Sequence, residues 1–136
     1  MSFHAWRRLA LGAALALVSP ALGLAAETPG FTADQAARGA QLYAGSCALC
    51  HGDNLDDGQF APPLKGADHA AYWRGRSAQD LLAFIDTMMP PSQPGGLGPQ
   101  GGADVYAYVL QSGGAAAGDK PLPADPAALA GLAATP

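Results

Sequence analysis

Residues Cys47-Ala48-Leu49-Cys50-His51 contain both cysteines of the 136-residue chain. Two thiols three positions apart, followed at once by an imidazole, form the pattern for covalent attachment of a c-type haem. The order matters chemically. Each thiol adds to one vinyl group at the porphyrin edge, and the two-residue spacer matches the separation of those vinyls. The adjacent histidine then reaches under the ring and binds the iron from the proximal side. A zinc site requires four ligands, and a second Cys or His pair is missing. A thioredoxin-like dithiol requires a βαβ surround, of which there is no sign. A chain marked in this way folds around a flat apolar plate tethered to it at two points.

The N-terminus fits that chemistry. Arg7 and Arg8 precede an almost wholly apolar run from Leu9 to Leu24, broken by Pro20 and followed by small residues. This is the layout of a secretory signal peptide over residues 1–25, with cleavage after Ala25. The run is shorter than the ~20 residues a spanning helix needs, so no membrane span is expected after cleavage. Export places the protein in the bacterial periplasm, where haem is attached to such thiols. Loss of Arg7 and Arg8 moves the net charge from −4 to −6. So acidic a chain is not a nucleic-acid binder. Its charge serves solubility and the approach of partner proteins.

The rest is expected to be all-α, with three main helices and long irregular loops around the haem. Residues 26–114 read as one small domain, and residues 115–136, rich in Ala, Pro and Gly, as a loosely attached tail. Thr32 and Gln35 form a capping box opening a helix to about Cys47, with Gly39 and Tyr43 on one face. Ser77 and Asp80 open a second helix, whose buried side carries Leu81, Leu82, Phe84 and Ile85. Val105, Tyr108 and Val109 mark a third, from about Ala103 to Gln111. Gly52–Ala71 and Met88–Gly102 read as loops. The first helix is expected to cross the last, with haem beneath.

The second axial ligand has three candidates, Met88, Met89 and His69. Met89 precedes Pro90, which cannot continue a helix, so the chain leaves the Ser77 helix there and the thioether can project across a haem face. Met88 reads as a packing residue on the same helix. His69, between Asp68 and Ala70, reads as a solvent-facing loop histidine. Trp73 is expected buried against haem, with Arg74 and Arg76 at the surface or on a haem carboxylate. Gly96–Gly101 fits G-x-G-x-x-G only formally, since no strand precedes it. Asp56 and Asp57 read as solvated loop acids.

These residues resemble a class I cytochrome c, the small monohaem type with histidine and methionine ligands. The resemblance runs from Gly39 and Tyr43 through Cys47–Gly52, Ala61-Pro62-Pro63-Leu64-Lys65-Gly66 and Met89-Pro90 to Val105–Leu110. It implies haem c on Cys47 and Cys50, His51 and Met89 as metal ligands, the Pro62 carbonyl accepting from the His51 ring, and Leu64 packed on the haem face. Trp73, Gly95-Gly96-Leu97 and Gly118–Pro123 are similar to cytochromes linked to quinoprotein dehydrogenases. In place of the capping residue and acids that usually open the last helix there, this chain has Gly98–Gly102, with Asp104 the one acid.

The implied function is a one-electron carrier rather than an enzyme. It would take electrons from a periplasmic dehydrogenase and pass them to an oxidase or another cytochrome, as a monomer or as a subunit of a complex. Two other readings stand beside it. One is a haem enzyme or subunit acting on peroxide or sulfur compounds, the other a gas sensor, and both need an open iron.

Overall fold

The computed structural model describes residues 27–136, so the signal-peptide segment lies outside the described residues. Five α-helices follow in order: α1 Ala33–Ser46, α2 Ala48–His51, α3 Gly66–Trp73, α4 Ala78–Met88 and α5 Gly98–Ser112, then a single 3-10 turn at Pro126–Leu129. The fold is all-α. An isolated antiparallel bridge between Ser77 and Ala133 is the only β pairing among the described residues. No helix among them is long and apolar enough to cross a membrane.

The packing centre is the crossing of α1 and α5, the most extensive helix pair. Gly39 makes it possible. Any β-carbon there would run into the Asp104 carbonyl and lie 3.0 Å from Tyr108 Cβ, so the two backbones approach as closely as only glycine permits. Below the crossing Tyr43 and Tyr108 pack with ring centroids 5.4 Å apart. Above it the Arg38 guanidinium forks onto buried Asp104 at 2.9 and 3.2 Å, and Gln100 Nε2 donates to the same carboxylate at 2.8 Å.

Local signals set the helix ends with two differences. Ser77 and Asp80 form the full reciprocal capping box of α4. Thr32 caps α1 by accepting from the Gln35 amide, worth about 1 kcal/mol, but the Gln35 side chain does not turn back to complete the box. It clasps Leu122 instead, donating to its carbonyl at 2.9 Å and accepting from its N–H at 2.7 Å. Phe84, expected on the buried side of α4, stands at the surface, while Leu81, Leu82 and Ile85 are buried.

Three expectations are corrected. The Gly52–Ala71 loop ends early, because α3 begins at Gly66: Ala67, Ala70 and Ala71 favour helix, and His69 and Trp73, four apart, give it a buried face. The Met88–Gly102 loop is likewise shorter, since α5 starts at Gly98 with Pro99 in its first turn, where a missing N–H costs nothing. Residues 115–136 are not a loose tail. Leu122, Leu129 and Ala134 are buried in the main core. Tyr106 Oη donates to the Ala134 carbonyl at 2.7 Å, Ala78 N–H to Leu132 and Ala133 N–H to Glu27, each at 2.8 Å. The Ala- and Pro-rich composition conceals a strap anchored on three elements.

Candidate haem site

The motif forms its own short helix at the end of α1. Cys47 closes α1 by donating its N–H to Tyr43, and its carbonyl accepts from Cys50 at 3.1 Å and His51 at 3.0 Å. One helical turn therefore carries both thiols, which are free and half-buried. Burial first, and then neighbouring Cys50, push the Cys47 thiol up to about 11. The returning loop passes directly beneath. A β-carbon on Gly58 would strike the Cys50 carbonyl and His51 backbone, so this glycine lets the chain close against the motif. Phe60 N–H donates to the Cys50 carbonyl at 3.4 Å.

His51 is buried, with Nδ1 2.8 Å from the Pro62 carbonyl. A carbonyl can only accept, so Nδ1 carries the proton and Nε2 keeps its lone pair for a metal. Tyr43 Oη donates to the Gly52 carbonyl at 2.6 Å and fixes the backbone just beyond the motif. Burial, its largest cause, raises the Tyr43 phenol well above its usual range, so it remains a donor at all working pH. Leu64 bonds to Leu55 through the backbone at 2.7 Å. Its side chain packs in a small apolar cluster with Tyr43, Leu55, Val109 and Cys47.

The three ligand candidates differ in environment. Met88, the last residue of α4, is 53% exposed. Met89 is half-buried and extended, ending the helix with its N–H on the Ile85 carbonyl. His69 is 6% exposed, which corrects the expectation of a solvent-facing loop residue. It sits on α3 one turn before Trp73, with ring centroids 6.4 Å apart, and its Nε2 is buried without a partner. The i, i+4 spacing to an aromatic residue was the available signal for its burial. Burial, the largest cause, depresses its pKa below the ordinary value, while the Pro63 carbonyl pulls upward. Trp73 is buried, edge-on to Tyr72 at 5.4 Å and Phe84 at 6.0 Å. Arg74 and Arg76 are exposed, the latter over the Tyr72 ring at 4.7 Å. Asp57 is held ionised by Asn54, and Asp56 lies 3.5 Å from Lys65.

This donor set fits haem. Two free thiols share a helical turn with an imidazole whose Nε2 is available. No group of three or more His, Cys, Asp or Glu side chains among the described residues converges on a bare ion. Residues 34–109, more than half of the chain, match the family described as cytochrome c oxidase, cbb3-type, subunit III.

The chain belongs to this family of c-type cytochromes.

Haem-based electron transfer is the chemistry of such a domain, and Cys47 and Cys50 have the spacing that covalent attachment requires. This cytochrome is also 35% identical over 79 residues to a thiosulfate dehydrogenase of Stutzerimonas stutzeri (strain A1501). The aligned part is 54% of this chain and 26% of that protein, so the cytochrome spans about a quarter of its relative. No solved structure matches it.

Proposed function

We propose that this cytochrome is an exported, periplasmic one-electron carrier, with haem c on Cys47 and Cys50 and with His51 and Met89 as axial ligands. It takes electrons from a periplasmic dehydrogenase of the quinoprotein type and passes them to an oxidase or another cytochrome. The observation that carries the reading is the His51 ring, buried beside two free thiols and locked by Pro62 with Nε2 left over. Met89 is favoured over Met88 because it is half-buried where the helix ends, whereas Met88 faces solvent.

When bound, haem supplies reversible one-electron chemistry at iron. The chain supplies everything else. Cys47 and Cys50 would hold the group covalently, and the Pro62 carbonyl fixes the orientation and tautomer of the His51 imidazole. Leu64, Val109 and Tyr43 exclude water on the motif side. The Met89 thioether would offer the haem a soft, neutral donor, of the kind that favours ferrous iron. Partner docking falls to the motif edge, where Leu49 and Phe60 are 87% and 79% exposed. The acids of the adjoining loop favour a partner with a basic rim, and association that weakens as salt rises.

A second reading follows from the thiosulfate dehydrogenase relative: this chain would be the haem module of an enzyme oxidising sulfur compounds. One experiment separates the two. Visible and near-infrared spectra of the matured protein, ferric and ferrous, are recorded with and without CO and thiosulfate. A thioether-to-iron band, low spin in both states and indifference to CO are expected for the carrier. A high-spin ferric form reduced by thiosulfate selects the enzyme. In Met89→Ala the haem stays attached, the potential falls and CO binds; retention of the thioether band there moves the ligand to Met88.

A further inference from the structure

Asp86 is a charged side chain that the carrier reading leaves without a task. It stands on α4 three residues before Met89, the spacing of helix neighbours. Met89 keeps that relation although it ends the helix, because its N–H still bonds the Ile85 carbonyl at 3.1 Å. The residue is half-buried, and its Oδ1 is sealed from water with no hydrogen-bond partner. Across the seam lies α5. A β-carbon on Gly102 would run into Oδ1 and lie 3.1 Å from Cγ, so glycine there lets the carboxyl group seat against the α5 main chain. The loop after Pro90 returns over the same residue, with Gly95 against the Asp86 carbonyl.

No cation compensates the group in this seat. The ion pairs among the described residues are Arg38–Asp104 and Lys65–Asp56. Burial alone acts on the Asp86 carboxyl, raising its pKa above the ordinary value. A buried carboxylate oxygen without a partner costs the fold stability, and native structures keep few such groups without a use. Gly102 sustains that cost, since any side chain there would displace the carboxyl group towards water.

We infer that Asp86 is a fixed negative charge that lowers the reduction potential of the haem by stabilising its ferric state. The inference rests on the haem reading above and on Met89 as the ligand. Ferric haem carries one more positive charge than ferrous haem, so a nearby anion favours it. Met89 and Asp86 then pull in opposite directions. The soft thioether favours ferrous iron, and the carboxylate one turn earlier offsets part of that preference. Seated away from water, this charge is screened less than the exposed acids, so it outweighs them in an already acidic chain. Opposite charges ~10 Å apart at an effective dielectric of about 20 shift an equilibrium by about tenfold. Helix-neighbour spacing keeps Asp86 in that range of whatever the Met89 thioether binds.

The test is the midpoint potential of the haem-loaded protein at about pH 8, above the carboxylate range, in wild type, Asp86→Asn, Asp86→Ala and Asp34→Asn. Asp34 is an exposed acid in the first turn of α1 and controls for net charge. Both Asp86 variants should raise the ferrous-to-ferric ratio at a fixed applied potential by about tenfold, a shift of about 59 mV for one electron. Asp34→Asn should stay at the wild-type value. Each Asp86 variant should keep the thioether-to-iron band and unfold at no lower guanidinium concentration than wild type. Asp86→Asn keeps the shape and discards the charge, so a wild-type potential in that variant overturns the inference. An equal shift in Asp34→Asn overturns it as well. Loss of the thioether band, or of the fold, in both Asp86 variants would make the residue a structural support and overturn it too. If one variant fails, the other carries the comparison. Failure of the underlying reading looks different: no haem acquired on maturation, or a thioether band that persists in Met89→Ala.

Discussion

The α1–α5 crossing yields a paired test on one helix. In Gly39→Ala the new methyl would overlap the Asp104 carbonyl oxygen, lie 2.5 Å from its carbon and 3.0 Å from Tyr108 Cβ. Ordinary contact needs more than 3.4 Å, so α1 and α5 must separate by roughly 1 Å or more, and a gap of that size forfeits a quarter to a half of the dispersion energy of the surrounding contacts. Overpacking of this kind costs about 1–3 kcal/mol. Here the upper end applies, because the obstacle is main chain and because the Arg38–Asp104 fork and the Tyr43–Tyr108 contact span the same seam. Alanine recovers about 1 kcal/mol of helix propensity, leaving a net loss of about 2 kcal/mol. Gly45 lies on the same helix, and a β-carbon there meets nothing within 4 Å. Gly45→Ala should therefore gain up to about 0.5–1 kcal/mol. The assay is guanidinium unfolding of the haem-loaded ferric protein, followed by circular dichroism and visible absorbance. A Gly39→Ala variant as stable as wild type, or the same sign for both variants, would refute the close-approach argument.

Gln35→Leu keeps the volume but strands the Leu122 N–H and C=O, both buried. About 2–4 kcal/mol should be lost, and limited proteolysis should cut first within residues 115–136. Tyr43→Phe removes the 2.6 Å donor to Gly52 and should cost about 1 kcal/mol, with the haem spectrum unchanged since the hydroxyl is not at the iron. The buried His69 has a folded pKa below its unfolded one, so the unfolded chain binds the proton more readily below about pH 6.5. Its contribution is present above that value and lost as pH falls towards the folded pKa. The denaturant midpoint should decline across that window in wild type, and less steeply in His69→Phe.

How much of this was legible in the sequence depended on how far the deciding interaction reaches. The haem motif was legible because its chemistry lies within one helical turn, Cys47 to His51. The Ser77–Asp80 box and the Gly39–Tyr43 face are equally local. The strap was not. Its anchors are isolated apolar residues, Leu122 and Leu129, in a segment of Ala, Pro and Gly, and its clasp comes from Gln35, 87 residues away. Gln35 also illustrates how a local rule loses. Its side chain has one reciprocal bond available at the α1 N-terminus, where water competes, and two at Leu122, where water is excluded and each bond stands against a full desolvation penalty. Such a choice depends on burial, which no capping pattern encodes.

His69 makes the same point for a buried polar group. In sequence it is a histidine beside an acid, a pattern that reads as solvated. What changes it is the surround: an aromatic ring one turn on, a cavity wall shared with the haem segment, and no partner at Nε2. None of these is a property of residues 68–70. Burial of the face of α3 that carries His69 and Trp73 is decided by side chains from elsewhere in the chain, which the residues beside His69 do not encode.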